Sequence, residues 1–263
     1  MAARMAKPLP ARGAALLLSL VALLLLFRLG AVPLLGPDEP RYARVAVEMQ
    51  RAGEWVTPTL QGVPWLEKPA LYYWLAGAAF SLFGETETAA RLPSVLAALV
   101  LVGVTALVGA RLFGGAAGLH AGFALGTSLL VFAYGRAAAM DMLIAAWATV
   151  AIGLLGLRFL GVAGRGAVVG AHAAMGLAVL AKGPLGVLIP GLVIAAYLVA
   201  TREWRRLREL LSPVACLVFV LIAGPWYLAI VLDQGRAFVD TFLLGHNVAR
   251  FTSTVHNHPG PFF

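Results

Sequence analysis

Residues 36–74, GPDEPRYARVAVEMQRAGEWVTPTLQGVPWLEKPALYYW, form a polar island in an apolar chain. The stretch opens on Asp38-Glu39 and reaches Glu67-Lys68-Pro69 just before the aromatics Tyr72, Tyr73 and Trp74. Five carboxylates (Asp38, Glu39, Glu48, Glu54, Glu67) and four cations (Arg41, Arg44, Arg51, Lys68) crowd into it. A connector between two membrane helices needs far less charge. The stretch reads as an active-site loop held against a membrane surface. Within it, residues 38–52 carry an amphipathic helical pattern: Val45 and Met49 recur on one face, Arg44 and Glu48 on another.

The rest of the chain is lipid-like. Of 263 residues, 61% are hydrophobic and 12% charged, where a soluble domain is about a quarter charged. Apolar runs of about 17–25 residues recur, the length that spans a bilayer. The fold class expected is an all-α polytopic membrane protein. The net charge of +8 is therefore an orientation signal in short loops rather than a nucleic-acid signal. The lone Cys216 excludes an internal disulfide and reads as a small core residue. No signal-cleavage pattern comes after the first apolar segment, which reads as a retained anchor. The chain stops at Pro-Gly-Pro-Phe-Phe straight after a polar loop, and is expected to be the N-terminal portion of a longer protein.

Apolar segments run over 14–35, with Arg28 snorkelling from inside the first span, and over 92–110, 116–134, 138–157, 167–181, 184–200 and 212–232. Residues 69–84 are apolar but short. If they crossed, the arginine-rich loop TREWRRLREL (201–210) would face outward, against the positive-inside rule. If they lie in the interface, that loop, Arg111 and the Arg158/Arg165 loop are all cytoplasmic. Of the twelve acids, all except Glu203 and Glu209 then face outward. The chain is thus expected to cross seven times. Residues 1–12 form a cytoplasmic N-terminus and 13–232 a transmembrane core. The core carries an outer loop 36–68 and an interfacial helix 69–84, and 233–263 form an outer loop.

Several residues suit chemistry on that outer face. Asp38 and Glu39 could take a proton from an acceptor hydroxyl or hold a divalent cation, or merely start a helix. Glu67 before Pro69 suits a helix N-terminus with no ligand at all. Lys68 is the wrong sign for that end and suits an anionic ligand such as a lipid phosphate. Asp141 and Lys182 lie at span ends, where an ionisable group is by default a functional hypothesis or, for a lysine, a snorkelling side chain. Arg250 could hold a phosphate, and the tail histidines His256 and His258 could serve a metal. His120 and His172 read as packing residues, and Tyr72, Tyr73 and Trp74 as an interfacial belt.

Taken in order, GPDEPRYA, EKPALYYWL, ETAARLPS, RAAAMDM, AKGP, HNVARF and HNHPGPFF resemble the protein O-mannosyltransferase superfamily, glycosyltransferase family 39. They are most similar to the bacterial branch that includes the aminoarabinose transferase of lipid A. The resemblance implies a GT-C membrane fold and transfer of a sugar from a polyprenyl-phosphate carrier to a lipid, glycan or protein acceptor. It matches Asp38 to a base or metal-associated acid, Lys68 to a lysine near the carrier phosphate, and Asp141, Lys182 and Arg250 to further cavity residues. The mechanism expected on it has Asp38, Glu39 and Asp141 as catalytic residues and Lys68, Lys182 and Arg250 on the phosphate. A divalent metal near Glu67 is allowed by it, with His258 of the His-rich tail a further candidate ligand, and no nucleotide is expected. A transporter or lipid flippase is the rival reading, but charge in transporters gathers near the midplane, and here it lies at one face.

Overall fold

The structure, a computed structural model, describes residues 9–242 and 245. It is helical almost throughout. Helix α1 (Ala11–Leu26) is followed by the polar island, which folds as α2 (Asp38–Ala52), a small hairpin (β1 Thr59–Leu60, β2 Val63–Pro64) and a turn into α3 (Leu71–Phe83). The bundle continues with α4 (Glu87–Phe113), α5 (Gly115–Gly126), α6 (Leu129–Gly135), α7 (Asp141–Phe159), α8 (Gly166–Lys182) and α9 (Leu185–Thr201). Then come a short α10 (Leu207–Leu210), α11 (Pro213–Gln234) and one turn, α12 (Arg236–Phe238).

Among the described residues, three helices are long and apolar enough to cross a membrane: α4, α7 and α11. The pair α5 and α6 makes a fourth if counted as one bent span. Helices α1, α8 and α9 are apolar but shorter, with 16, 17 and 17 residues. This is a multi-span helical membrane protein.

The first span is shorter than the 14–35 expected. Helix α1 ends at Leu26, and Arg28 takes a left-handed backbone with φ +52°. Gly30 and Pro33 lie in the irregular segment beyond it. Arg28 thus sits past the helix and not inside it. The 116–134 segment is also not one rod, because α5 and α6 meet at 61°. Ser128 restarts the helix there, its Oγ accepting from Val131 N, a standard N-cap bond.

Helix α2 appears where the pattern placed it. Val45 and Met49 are fully buried, and Arg44 Nε donates to Glu48 at 2.7 Å. The helix stops at Gly53, whose φ of +65° closes its C-terminus. Glu48 then collects Gln61 N, Gly62 N and Thr59 Oγ1 at 2.9, 3.2 and 3.2 Å, pinning the hairpin to α2.

Helix α3 returns the chain to the end of the bundle where it began. Before it, Glu67 acts on Tyr42 of α2. Beyond it, Glu85 pairs with Arg51 at 2.7 Å, and Arg91 in the first turns of α4 pairs with Glu39. Tyr72 and Tyr73 are fully buried and do not form a belt. Their rings meet Tyr42 at centroid distances of 6.3 and 6.5 Å, and Tyr72 Oη donates to Ala90 O.

The opposite end is tied by arginines. Arg158 of α7 and Arg206 both donate to Glu209 of α10, at 2.7 and 3.2 Å, and Arg206 also donates to Phe159 O. His172 is buried in α8 with Nδ1 2.9 Å from Val168 O, whereas His120 is exposed and so is not the packing residue expected. Cys216 is half-buried, its thiol pointing at Leu210 O.

Candidate active site

One buried ion pair organises the polar end. Arg91 reaches from α4 to Glu39 of α2, with Nε and Nη2 donating at 3.1 and 2.9 Å. Its other donors go to the carbonyls of Leu29, Val32 and Pro33 at 2.8, 2.8 and 3.0 Å. All five N–H groups of the guanidinium are thereby used. Glu39 accepts two further bonds, from Leu35 N at 2.7 Å and Ala138 N at 2.6 Å. Burial pushes the Glu39 carboxyl up, but Arg91 and the two backbone N–H groups outweigh it and hold the group below its ordinary value. The network joins the irregular segment after α1, the start of α2, α4 and the turn before α7. It fixes where α2 and α7 begin, and so where Asp38 and Asp141 stand.

Asp38 is the opposite kind of carboxylate. It opens α2 with its side chain 61% exposed, and Arg41 lies 3.4 Å away. The acid pair is thus split by environment: Glu39 is saturated by donors within the fold, and Asp38 faces out.

Asp141 opens α7, and Lys182 is the last residue of α8. The helices are antiparallel neighbours, so these two ends coincide, and Lys182 Nζ donates to Asp141 Oδ1 at 2.6 Å. Each charge also suits its own helix end. An apolar groove of about 250 Å³ runs up to Asp141 between α4, α6 and α7, lined by Leu101, Leu130, Tyr134 and Met142.

Tyr42 draws these groups together. Its phenol is pushed up to about 12, first by burial and then by the negative charge of Asp38, Glu67 and Asp141. The phenol therefore stays protonated at neutral pH, under the negative charge of one acid on its own helix and two from other parts of the sequence. Glu67 and Lys68 lie half-buried in the turn before α3. A strap from α11 closes the site's margin: Thr57 Oγ1 donates to Asp233, and Trp226 Nε1 to Val56 O at 2.9 Å.

Of the sequence-derived candidates, Asp38, Glu39, Glu67, Lys68, Asp141 and Lys182 all lie at this end of the bundle. Arg250 and His258 lie outside the described residues. Among the described residues, no three His, Cys, Asp or Glu side chains gather in a set that could hold a metal. Sequence reasoning missed Tyr42 and Arg91. Arg91 stood within the ETAARLPS motif, and its signal was an arginine at the head of an apolar run. For Tyr42 the signal was slight: Asp38 precedes it by one helical turn, but the charges of Glu67 and Asp141 bear on it only through the fold.

A family model described as dolichyl-phosphate-mannose-protein mannosyltransferase matches residues 67–228. The undecaprenyl phosphate-alpha-4-amino-4-deoxy-L-arabinose arabinosyl transferase of Edwardsiella ictaluri is 31% identical over 232 residues, covering 86% of this chain and 42% of that protein. Its counterpart in Serratia proteamaculans is 32% identical over 268 residues, covering 98% and 47%. The crystal structure of ArnT from Cupriavidus metallidurans bound to undecaprenyl phosphate superposes with a TM-score of 0.86 at 32% identity. The match covers 93% of this chain and 46% of that one. The apo form of the same protein gives 0.81 at 31% identity, covering 89% and 44%. The fold is therefore of the GT-C type, and the chain spans about half the length of the curated relatives it matches.

Proposed function

Because the chain belongs to the dolichyl-phosphate-mannose-protein mannosyltransferase family, we propose that it carries the donor-handling site of a membrane glycosyltransferase using a polyprenyl-phosphate sugar. The observation that carries this reading is the assembly of separate stretches at one end of the bundle: Glu39, next to Asp38, accepts from Ala138 N just before α7, and Lys182 donates to Asp141 at 2.6 Å, at the end that also holds Glu67 and Lys68. Carboxylates beside cations at a lipid-water boundary suit a reaction between a hydroxyl and a lipid-borne phosphate ester. The name of the relatives supports undecaprenyl phosphate-linked aminoarabinose as the donor. Lipid A is the acceptor the resemblance favours, and the site faces outward from the cytoplasmic membrane.

In this mechanism the bond between the anomeric carbon and the carrier phosphate oxygen breaks. The phosphate leaves with the electron pair, and Lys68, Lys182 and Arg250 offset its growing charge. Lysine has three N–H donors, and Lys182 gives one to Asp141, so Asp141 holds the ammonium in place while other donors serve the phosphate. Asp38, the exposed member of the acid pair, takes the proton from the acceptor hydroxyl as that oxygen bonds to the sugar. Tyr42, held neutral, donates a hydrogen bond within the site. Glu39 positions Asp38 through the backbone of α2 and takes no part in proton transfer. The groove leading to Asp141 receives an apolar lipid chain. The described residues supply no three-ligand set, and no step here runs through a metal.

The test is lipid mass spectrometry on cells lacking the full-length gene, restored with wild type or with Asp38→Asn. A polyprenyl-phosphate sugar accumulates in the deletion and in the Asn strain, with transfer down about 100-fold or more. Unchanged carrier lipids in every strain, with expression confirmed, would overturn the reading.

A further inference from the structure

A second polar feature lies at the same end of the bundle. A cavity of about 410 Å³ opens between the end of α1 and α6, walled by Leu24, Phe27, Val32 and Phe132. Leu24, Phe27 and Val32 are exposed apolar residues in a membrane protein, so this opening looks into lipid. Two arginines, Arg28 and Arg136, line it, and no acid does.

The two arginines differ in what they do. Arg136 holds the fold: Nη1 donates to Leu25 O and Phe27 O, both at 2.8 Å, and its guanidinium sits 5.0 Å from the centre of the Phe132 ring. Those bonds cap the last carbonyls of α1 but do not neutralise the charge. Arg28 holds nothing comparable. Its side chain is exposed, and its backbone sits at φ +52°, a region that glycine and asparagine enter easily and a long side chain does not. A residue kept in an unfavoured conformation points to a use for its side chain. Here the use on offer is a second positive charge at the rim of an apolar, lipid-facing cavity.

We propose that this groove is a binding site for an anionic phospholipid, separate from the donor site. Its phosphodiester would sit between Arg28 and Arg136, and an acyl chain would lie along Leu24, Phe27 and Phe132. The complementarity is specific in sign: two guanidinium groups suit a phosphodiester, and a zwitterionic lipid gains less from a site of net charge +2. The adjoining cavity of about 440 Å³ shares Arg136 and Phe132 and is also lined by Glu39 and Arg91. Those last two neutralise each other, so the excess charge stays at the Arg28 rim. A lipid seated there would brace the irregular segment after α1, whose carbonyls Arg91 and Arg136 already hold.

The experiment uses the full-length protein, delipidated in detergent and offered phosphatidylglycerol or phosphatidylcholine, with bound lipid counted by native mass spectrometry. Wild type retains one more phosphatidylglycerol than Arg28→Asn, whose occupancy at the site falls about five-fold, and Arg28→Lys keeps it. Asparagine tolerates the left-handed backbone, so the variant folds. Ala31→Trp, which fills the groove and leaves both charges, also removes that lipid. Equal phosphatidylglycerol binding by wild type and Arg28→Asn would overturn the proposal, as would equal retention of phosphatidylcholine. Replacement of phosphatidylglycerol by lipid A from an equimolar mixture would likewise overturn it, assigning the groove to an acceptor instead.

Discussion

Glu39 and Arg91 lie 52 residues apart in sequence and are adjacent in space. Their network is closed: five donors of one group and four contacts to the other, all inside the protein. Removing either partner leaves a buried charge without compensation, which costs about 3–5 kcal/mol. Arg91→Met or Glu39→Gln should therefore lower the thermal midpoint of the detergent-solubilised protein sharply, where the exposed Asp38→Asn changes it little. The pH dependence has a definite sign. The Glu39 carboxyl is held below its ordinary value of 4.5, so the folded state binds that proton less readily than the unfolded chain. Its contribution is fully present above 4.5 and is lost as pH falls through the lower native value. An acid titration of stability should show this loss in wild type, and Glu39→Gln should lack that component. Tyr42 makes the complementary prediction for activity. With its phenol pushed up to about 12 by burial and by three acids, it is a neutral donor, and Tyr42→Phe should slow transfer about 100-fold with membrane insertion unchanged. The charged residues themselves were legible in the sequence. Their pairing was not, since the sequence placed Asp38 and Glu39 together as one acid pair. Only burial separates them.

Among the helices, each apolar segment read from hydropathy overlaps a helix of the structure, because length and composition fix where a chain can enter lipid, although three of these helices, or four with the bent pair, are long enough to cross among the described residues. The errors fall where hydropathy carries no mark. The bend between α5 and α6 has apolar residues on both sides, and a two-residue hairpin strand is too short for any period to register. Close packing was only partly visible, as an abundance of glycine. Gly118 shows what that abundance does. A Cβ there would lie 2.3 Å from Ala106 O and 2.6 Å from Ala110 N, both backbone atoms of α4. Helices α4 and α5 therefore touch along their backbones, as small residues permit in lipid. Gly118→Ala should force them apart and cost about 1–3 kcal/mol, seen as a lowered midpoint. Gly156 in α7 has no neighbouring atom within 4 Å of its would-be Cβ. Gly156→Ala should be neutral or stabilising by up to about 1 kcal/mol. Equal losses in the two variants would show that the close approach of α5 to α4 at Gly118 does not set the effect.

Across the bundle from end to end, the distribution of charge and the path of the chain make one claim about orientation. The α3 helix begins and ends at the same end of the bundle, so it does not reverse the parity of the later spans. Asp38, Glu67, Asp141 and Lys182 then share one end. Arg158, Arg206 and Glu209 are bonded together at the other, with Arg111 closing α4 and Arg165 beginning the turn into α8. The acids obey the same division, with Glu203 and Glu209 alone at the arginine end of the twelve. Lysine and arginine are retained on the cytoplasmic side, so the polar island should face outward. Labelling in intact cells decides this. In a cysteine-free background of the full-length protein, Cys216→Ser included, Val63→Cys at the exposed hairpin should react with a membrane-impermeant maleimide. Gly164→Cys, in the exposed turn between α7 and α8, should react only after permeabilisation. Both positions are open to solvent, so lack of reaction reports the membrane and not burial. The reverse pattern would put the Tyr42 cluster on the cytoplasmic side, where a transferase would meet its carrier before export. It would leave the fold and the Glu39–Arg91 network untouched, and it would require the charge at the arginine end to be read as ligand chemistry instead of topology.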